Sequence, residues 1–159
     1  MATFIKEHIV IVERCRGPEE AIRLLGDRFL RTGTVGEEYI DRVLARERDH
    51  PTGLSLEGGI NAAIPHADPV GVFRSGVALG VIRQGVGFKE MVSERDVRVQ
   101  LVFLLAADSS AGQLALLQRI VALLQSREVR ERLLFSEREE QILRILVKGD
   151  QPFRGEEPW

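Results

Sequence analysis

The sequence predicts an α+β fold: a three-layer α/β/α sandwich built around a small mixed sheet. Three observations predict it. Apolar runs of strand length lie at 9–12, 76–83 and 97–105. The first is followed by two helical patterns, and three more helical patterns close the chain, so strands and helices do not alternate strictly. The order reads β-α-α-β-β-β-α-α-α, which argues against a doubly wound parallel sheet. A chain of 159 residues suits a single hydrophobic core. One domain is expected over 1–148, with residues 149–159 as a disordered tail.

Each element has a local reason. Ile9-Val10-Ile11-Val12 is β-branched and bounded by charge, as a short buried strand is. Gly17-Pro18-Glu19-Glu20 starts a helix, with proline at its first position and acids at the positive end of the dipole. Ala21, Leu24, Leu25 and Phe29 form its apolar face, and Gly33 ends it. Thr34 and Glu37 have capping-box spacing, predicting a second helix over 35–48 with Tyr39, Ile40, Val43 and Leu44 inward. His50-Pro51 ends it, because the residue before proline resists helix. A loop and a short strand fill 54–64. A strand at 76–83 is followed by Gly85-Val86-Gly87, read as a connection. The run 97–105 alternates and then becomes continuously apolar, as a central strand does. Ser110 and Gln113 again have capping-box spacing, before a helix with Leu114, Leu117, Val121 and Leu124 on one face. Helices at 127–134 and 137–147 follow, the second capped by Ser136 and Glu139.

Composition narrows the function. Apolar residues make up 44% and charged residues 29%, with a net charge of -2, so nothing points to nucleic acid. The single Cys15 excludes an internal disulfide and a cysteine metal cluster. No apolar run reaches the ~18–20 residues that span a membrane. The N-terminal residues lack the apolar region of a secretory signal, so a cytoplasmic location is expected. No cofactor or metal is expected: His8 and His50 pair with no other histidine at metal spacing.

Chemistry concentrates at Ile64-Pro65-His66. A proline there ends a strand, and the next side chain is held stiffly at the surface. A neutral imidazole is a good nucleophile near neutral pH, and its phosphoramidate is labile, which suits relay rather than storage. Taken alone, the tripeptide fits a loop histidine without a chemical role better than it fits a phosphate acceptor. Arg46 alone fits a solvated arginine at a helix end. Asp68 reads as a turn residue. Cys15 reads as a small buried hydrophobe.

The wider context changes that balance. Arg46-Glu47, the turn Pro51-Thr52-Gly53, Ala62-Ala63-Ile64-Pro65-His66, and 102–107 before a leucine-rich helix follow one another in order. Together they resemble the fructose/mannitol-type (type 2) IIA component of the bacterial phosphoenolpyruvate-dependent sugar phosphotransferase system, over roughly residues 5 to 147. The resemblance implies a cytoplasmic phosphotransferase in which His66 accepts a phosphoryl group on Nε2 from the phosphocarrier protein HPr. The group would then pass to a cysteine on a cognate IIB domain, for sugar uptake. It also implies that Arg46 contacts the phosphoryl group, a place suited to a guanidinium fork. Relatives that control other proteins leave a regulatory role open. Many members carry a second active-site histidine where this chain has Gln113; galactitol-type members resemble it in having glutamine. Gln113 would donate a hydrogen bond to a phosphoryl oxygen or serve only the capping box with Ser110. Galactitol or another polyol is favoured over mannitol or fructose. Ile64, Ala67 and Val70 are expected to rim a docking surface around His66.

Overall fold

Val97 to Leu105, the most apolar run, becomes the middle of the sheet. The computed structural model describes residues 3–149. After a 3₁₀ turn at Lys6–His8, these form β1 (Ile9–Val12), α1 (Pro18–Arg31), α2 (Glu37–Asp49), β2 (Gly53–Leu54), β3 (Ala62–Ala63), β4 (Gly76–Lys89), β5 (Asp96–Ala106), α3 (Ser110–Leu124), α4 (Arg127–Phe135) and α5 (Glu139–Gly149). The strands lie in the order β1-β4-β5-β3-β2. β1 runs parallel to β4 and β3 parallel to β5, while β4 with β5 and β2 with β3 are antiparallel. The predicted sandwich and mixed sheet are thus present. The two-residue β2 is added, too short to leave a pattern in the sequence. The expected tail began at Gly149, which instead closes α5; residues 150–159 lie outside the described residues.

Two cores sit on the two faces of the sheet. α1 and α2 cover one face, where Phe29, Tyr39 and Val43 meet Val102, Leu104 and Ala106. α3, α4 and α5 cover the other, where Ile120, Leu133 and Ile142 meet Leu101, Phe103 and Leu105. β5 therefore sends alternate residues into both cores, which is why it reads as one apolar run. Burying each such side chain contributes about 1.5–3 kcal/mol.

Three local expectations are corrected. Thr34 does not cap α2. Gly36 precedes that helix without a side-chain cap. Thr34 is buried, its hydroxyl 2.8 Å from that of Thr32, while its carbonyl accepts the Phe73 amide at 2.9 Å. At α3 the cap is Ser109, whose Oγ accepts the Gly112 amide at 3.0 Å; Ser110 is already helical. Ser136 donates to the Arg132 carbonyl at 2.6 Å, and the Glu137 and Arg138 amides donate to Gln141 Oε1 instead.

Two further differences concern packing. α3 buries Leu116, Ile120, Leu123 and Leu124, whereas Leu114 and Val121 face outward at 58% and 42% exposure. Apolar residues lie on nearly every side of this helix, so its period cannot set its rotation; the sheet does. In α1, Ile22 and Gly26 join the buried face and Leu24 is only partly covered. A Cβ on Gly26 would lie 2.7 Å from Ile40 Cδ1, so the glycine lets α1 and α2 approach.

Gly85-Val86-Gly87 is not a connection but part of β4, which continues to Lys89. The register against β5 shifts between Val81 and Val86, a bulge that Gly85 makes possible with φ of 77°. A Cβ there would also lie 2.5 Å from Arg98 Cγ. Gly85→Ala is expected to lower stability by about 1–2 kcal/mol from the left-handed backbone alone. Urea denaturation with unchanged slope would measure it; an equal midpoint would show that the bulge relaxes.

Candidate functional site

The end of β3 delivers His66. Ala62 and Ala63 pair with Leu101 and Val102, and the Leu105 amide reaches the Pro65 carbonyl at 3.1 Å. The chain then leaves the sheet. His66 Nδ1 lies 2.8 Å from the Ile64 carbonyl oxygen. A carbonyl only accepts, so Nδ1 carries the proton and Nε2 keeps its lone pair. The ring is half-buried. Burial lowers its pKa below 6.5, and the Arg46 charge adds to this; the Ile64 bond and Asp68 oppose it. At neutral pH the imidazole is therefore uncharged.

Side chains from two helices, α2 and α3, converge on segment 64–68. Arg46, in the last turn of α2, places Nη1 4.0 Å from Asp68 Oδ1, with Asp68 mostly in water. At that distance and exposure the pair adds little stability. Arg46 Nε is buried and has no hydrogen-bond partner among the described residues. The Tyr39 hydroxyl donates to the Leu105 carbonyl at 2.5 Å and accepts the Ala67 amide at 3.3 Å. Burial pushes this phenol up to about 12, so it stays protonated as that donor. Gln113 Nε2 donates to the Ala67 carbonyl at 2.7 Å. Both ends of Ala67 are thus held. Arg42 donates to the carbonyls of Asp68 (3.0 Å) and Val70.

A second polar group lies behind the histidine. Glu47, only 7% exposed, accepts the Thr52 amide at 2.9 Å on Oε1. The Thr52 hydroxyl donates to Oε2 at 2.9 Å and accepts the Ile64 amide at 3.2 Å. This is what the Pro51-Thr52-Gly53 turn does in the fold: it brings a hydroxyl between the end of α2 and the residue whose carbonyl holds His66.

The profile of the family described as "Phosphoenolpyruvate-dependent sugar phosphotransferase system, EIIA 2" matches residues 3–149. The chain belongs to this IIA family. It is 30% identical over 131 residues to the galactitol-specific EIIA component of Escherichia coli K12, covering 82% of this chain and 84% of that one. Its fold is similar to the IIA protein in the complex of mannitol enzyme IIA with phosphorylated enzyme IIB from Escherichia coli. The TM-score there is 0.77 at 26% identity, over 91% and 97% of the two chains. It is also similar to the nitrogen regulatory protein IIA-Ntr of Neisseria meningitidis, with TM-score 0.73 at 25% identity over 89% and 94%. IIA components are phosphotransferases, and this chain is a sugar-system phosphotransfer module.

In this IIA protein the three residues singled out in the sequence meet at one place. His66 lies in the segment, Arg46 beside Asp68, and Gln113 on Ala67. The capping box expected for Gln113 does not form; its amide reaches across the fold instead. The expected rim is also corrected. Ile64 and Ala67 are each 3% exposed and present no surface, whereas Val70, Phe73 and Leu114 do. Sequence reasoning missed the hydroxyl of Tyr39, read only as a core position. It also missed the Glu47–Thr52 pair; a charged residue on an otherwise apolar helix face was the available signal. The remaining histidines stand apart in role. His8 is buried edge-on to Phe29 and bonded to Thr32, and His50 is exposed at the end of α2. Burial raises the Cys15 thiol, which disfavours the reactive thiolate. Among the described residues no helix is long and apolar enough to cross a membrane.

Burial pushes Glu47 up to about 7 from 4.5, against the opposing bonds from Thr52. A carboxyl raised on folding favours the folded state most below 4.5, and this contribution is lost as pH rises through 7. Relative to Glu47→Gln, the unmodified chain should therefore lose roughly 3 kcal/mol of stability across that range. Parallel denaturant titrations of the two proteins measure it. A difference that stays flat with pH would mean that Glu47 titrates normally.

Proposed function

We propose that His66 is the phosphoacceptor of this IIA protein, charged by phosphorylated HPr and discharged to a cysteine of a cognate IIB domain. The observation that carries this reading is the Nδ1 bond to the Ile64 carbonyl, which leaves Nε2 as the nucleophilic nitrogen. The likeness to the IIA protein that was solved with phosphorylated IIB supports the choice of onward partner.

The steps balance with one proton that never leaves His66. The Nε2 lone pair attacks phosphorus on a protonated donor phosphohistidine. The donor P–N bond breaks and its electron pair returns to the donor imidazole, which leaves neutral. His66 becomes a phosphoimidazolium whose Nδ1–H still points at the Ile64 carbonyl, an acceptor that favours the added positive charge. A cysteine thiolate then attacks phosphorus. The P–Nε2 pair returns to the ring, and His66 is again neutral with Nδ1–H. The Arg46 guanidinium supplies donors and positive charge to the phosphoryl oxygens in flight. Gln113 acts through the Ala67 carbonyl it holds, keeping the residue after His66 in place. The relay works in the cytoplasm, and HPr and IIB dock over the apolar surface at Val70, Phe73 and Leu114. Galactitol or a related polyol is the favoured sugar, from the 30% identity to the galactitol component and from Gln113.

The test is incubation with phosphoenolpyruvate, enzyme I and HPr, followed by intact mass. A gain of one phosphoryl group is expected, with onward transfer to a galactitol-type IIB cysteine. No gain beside an active relay would refute the proposal. A regulatory role is the second reading, favoured by the likeness to the nitrogen regulatory protein. Phosphorylation without transfer to any IIB domain would select it.

A further inference from the structure

We propose that Glu47 and Thr52 are positioning residues for His66, holding in place the residue whose carbonyl fixes the imidazole. This rests on the phosphoacceptor reading above. The contacts are continuous from α2 to the ring. Thr52 donates twice to the Glu47 carboxyl, through its amide and through its hydroxyl. A hydroxyl has one proton to give, so its lone pairs remain for the Ile64 amide at 3.2 Å. The Ile64 carbonyl then takes His66 Nδ1–H at 2.8 Å. On its far side the proline ring restricts the backbone, and the Pro65 carbonyl is tied to the Leu105 amide. Ile64 is thus clamped on both sides of the carbonyl that sets the tautomer.

Glu47, Thr52 and Ile64 are all nearly sealed from water, at 7%, 3% and 3% exposure. Burying a carboxyl is costly. Apolar residues would fill the space at lower cost, so a polar pair here points to a task beyond packing. That task is geometric. Without the Thr52 hydroxyl the Ile64 amide loses its partner, the carbonyl is free to turn, and either ring nitrogen can carry the proton. A His66 protonated on Nε2 has no lone pair there to attack phosphorus. Partners that orient a metal-bound imidazole are commonly worth 10- to 100-fold, and a loss of that order is expected here.

The experiment uses the full chain with ¹⁵N-labelled histidine, so that NMR reads the protonation of each His66 ring nitrogen. The unmodified chain should show protonated Nδ1 and bare Nε2 near neutral pH. Thr52→Val keeps the side-chain shape and removes the hydroxyl. It should spread His66 over both tautomers and slow phosphoryl uptake from phosphorylated HPr by about 10- to 100-fold. Thr52→Ser should restore both. Wild-type tautomer and uptake in a folded Thr52→Val protein would overturn the proposal, as would mixed tautomers in the unmodified chain. Where Thr52→Val fails to fold, Glu47→Leu decides, because it removes both oxygens that Thr52 donates to: a shifted tautomer supports the clamp, and an unshifted one in a folded protein removes it. The tautomer needs no phosphoryl donor to be read. A chain that takes up no phosphate therefore ends the phosphoacceptor reading while the positioning claim is still judged on the ring.

Discussion

His66→Ala is expected to give a folded protein that gains no phosphoryl group from phosphoenolpyruvate, enzyme I and HPr. The effect should be complete, because no neighbouring side chain can take over. Asp68, Arg46 and Gln113 are not nucleophiles that form a phosphoramidate, and His8 is buried behind Thr32 and Phe29. His50 caps the end of α2 and is exposed to water, outside the contacts that gather around His66. The cost in stability should be small. The ring is half-buried and, among the described residues, hydrogen-bonds the Ile64 carbonyl. Losing that bond costs about 1 kcal/mol. Intact mass and thermal unfolding on the same sample separate the two effects. A phosphorylated His66→Ala protein would move the acceptor elsewhere.

Arg46→Ala should be the next largest loss, slowing single-turnover uptake by about 10²–10³-fold, or roughly 3–4 kcal/mol in the barrier. The guanidinium is near enough for its charge to act on the histidine, and among the described residues it has no tight carboxylate partner. Asp68 is 4.0 Å away and mostly hydrated, and Nε is unpaired among the described residues. A cation held this loosely can turn its donors to an arriving phosphoryl group without first breaking a strong ion pair. Arg46→Lys should recover only part of the rate, since an ammonium keeps the charge but not the planar fork. The two variants together distinguish charge from geometry. Uptake by Arg46→Ala within a few-fold of the unmodified rate would return Arg46 to an ordinary helix-end arginine.

Much of the fold was legible because it follows from short-range patterns. The β-branched run of β1, the proline start of α1 and the inward face of α2 each follow from residues within a turn or two. All of Tyr39, Ile40, Val43 and Leu44 are buried as read. The errors have one physical form. Capping-box spacing recurs by chance: Thr34 and Ser136 fit the pattern while bonding elsewhere, and Ser109 caps α3 in place of Ser110. α3 is apolar on too many sides for its period to choose a face, which left Leu114 and Val121 wrongly inward. The glycines of β4 read as a break because a bulge and a turn need the same residue.

Of the candidate site, the sequence singled out His66 and its setting. A histidine directly after a strand-ending proline, with an arginine at the end of the second helix, is a local arrangement that the chain order alone conveys. Only the tertiary structure decided which groups hold that histidine. Gln113 lies 46 residues from the carbonyl it bonds, and Thr52 lies 12 residues from the Ile64 amide. Apolar periodicity reports which face of an element is buried. It carries no information on which donor meets which acceptor, because that depends on how separate elements are brought together.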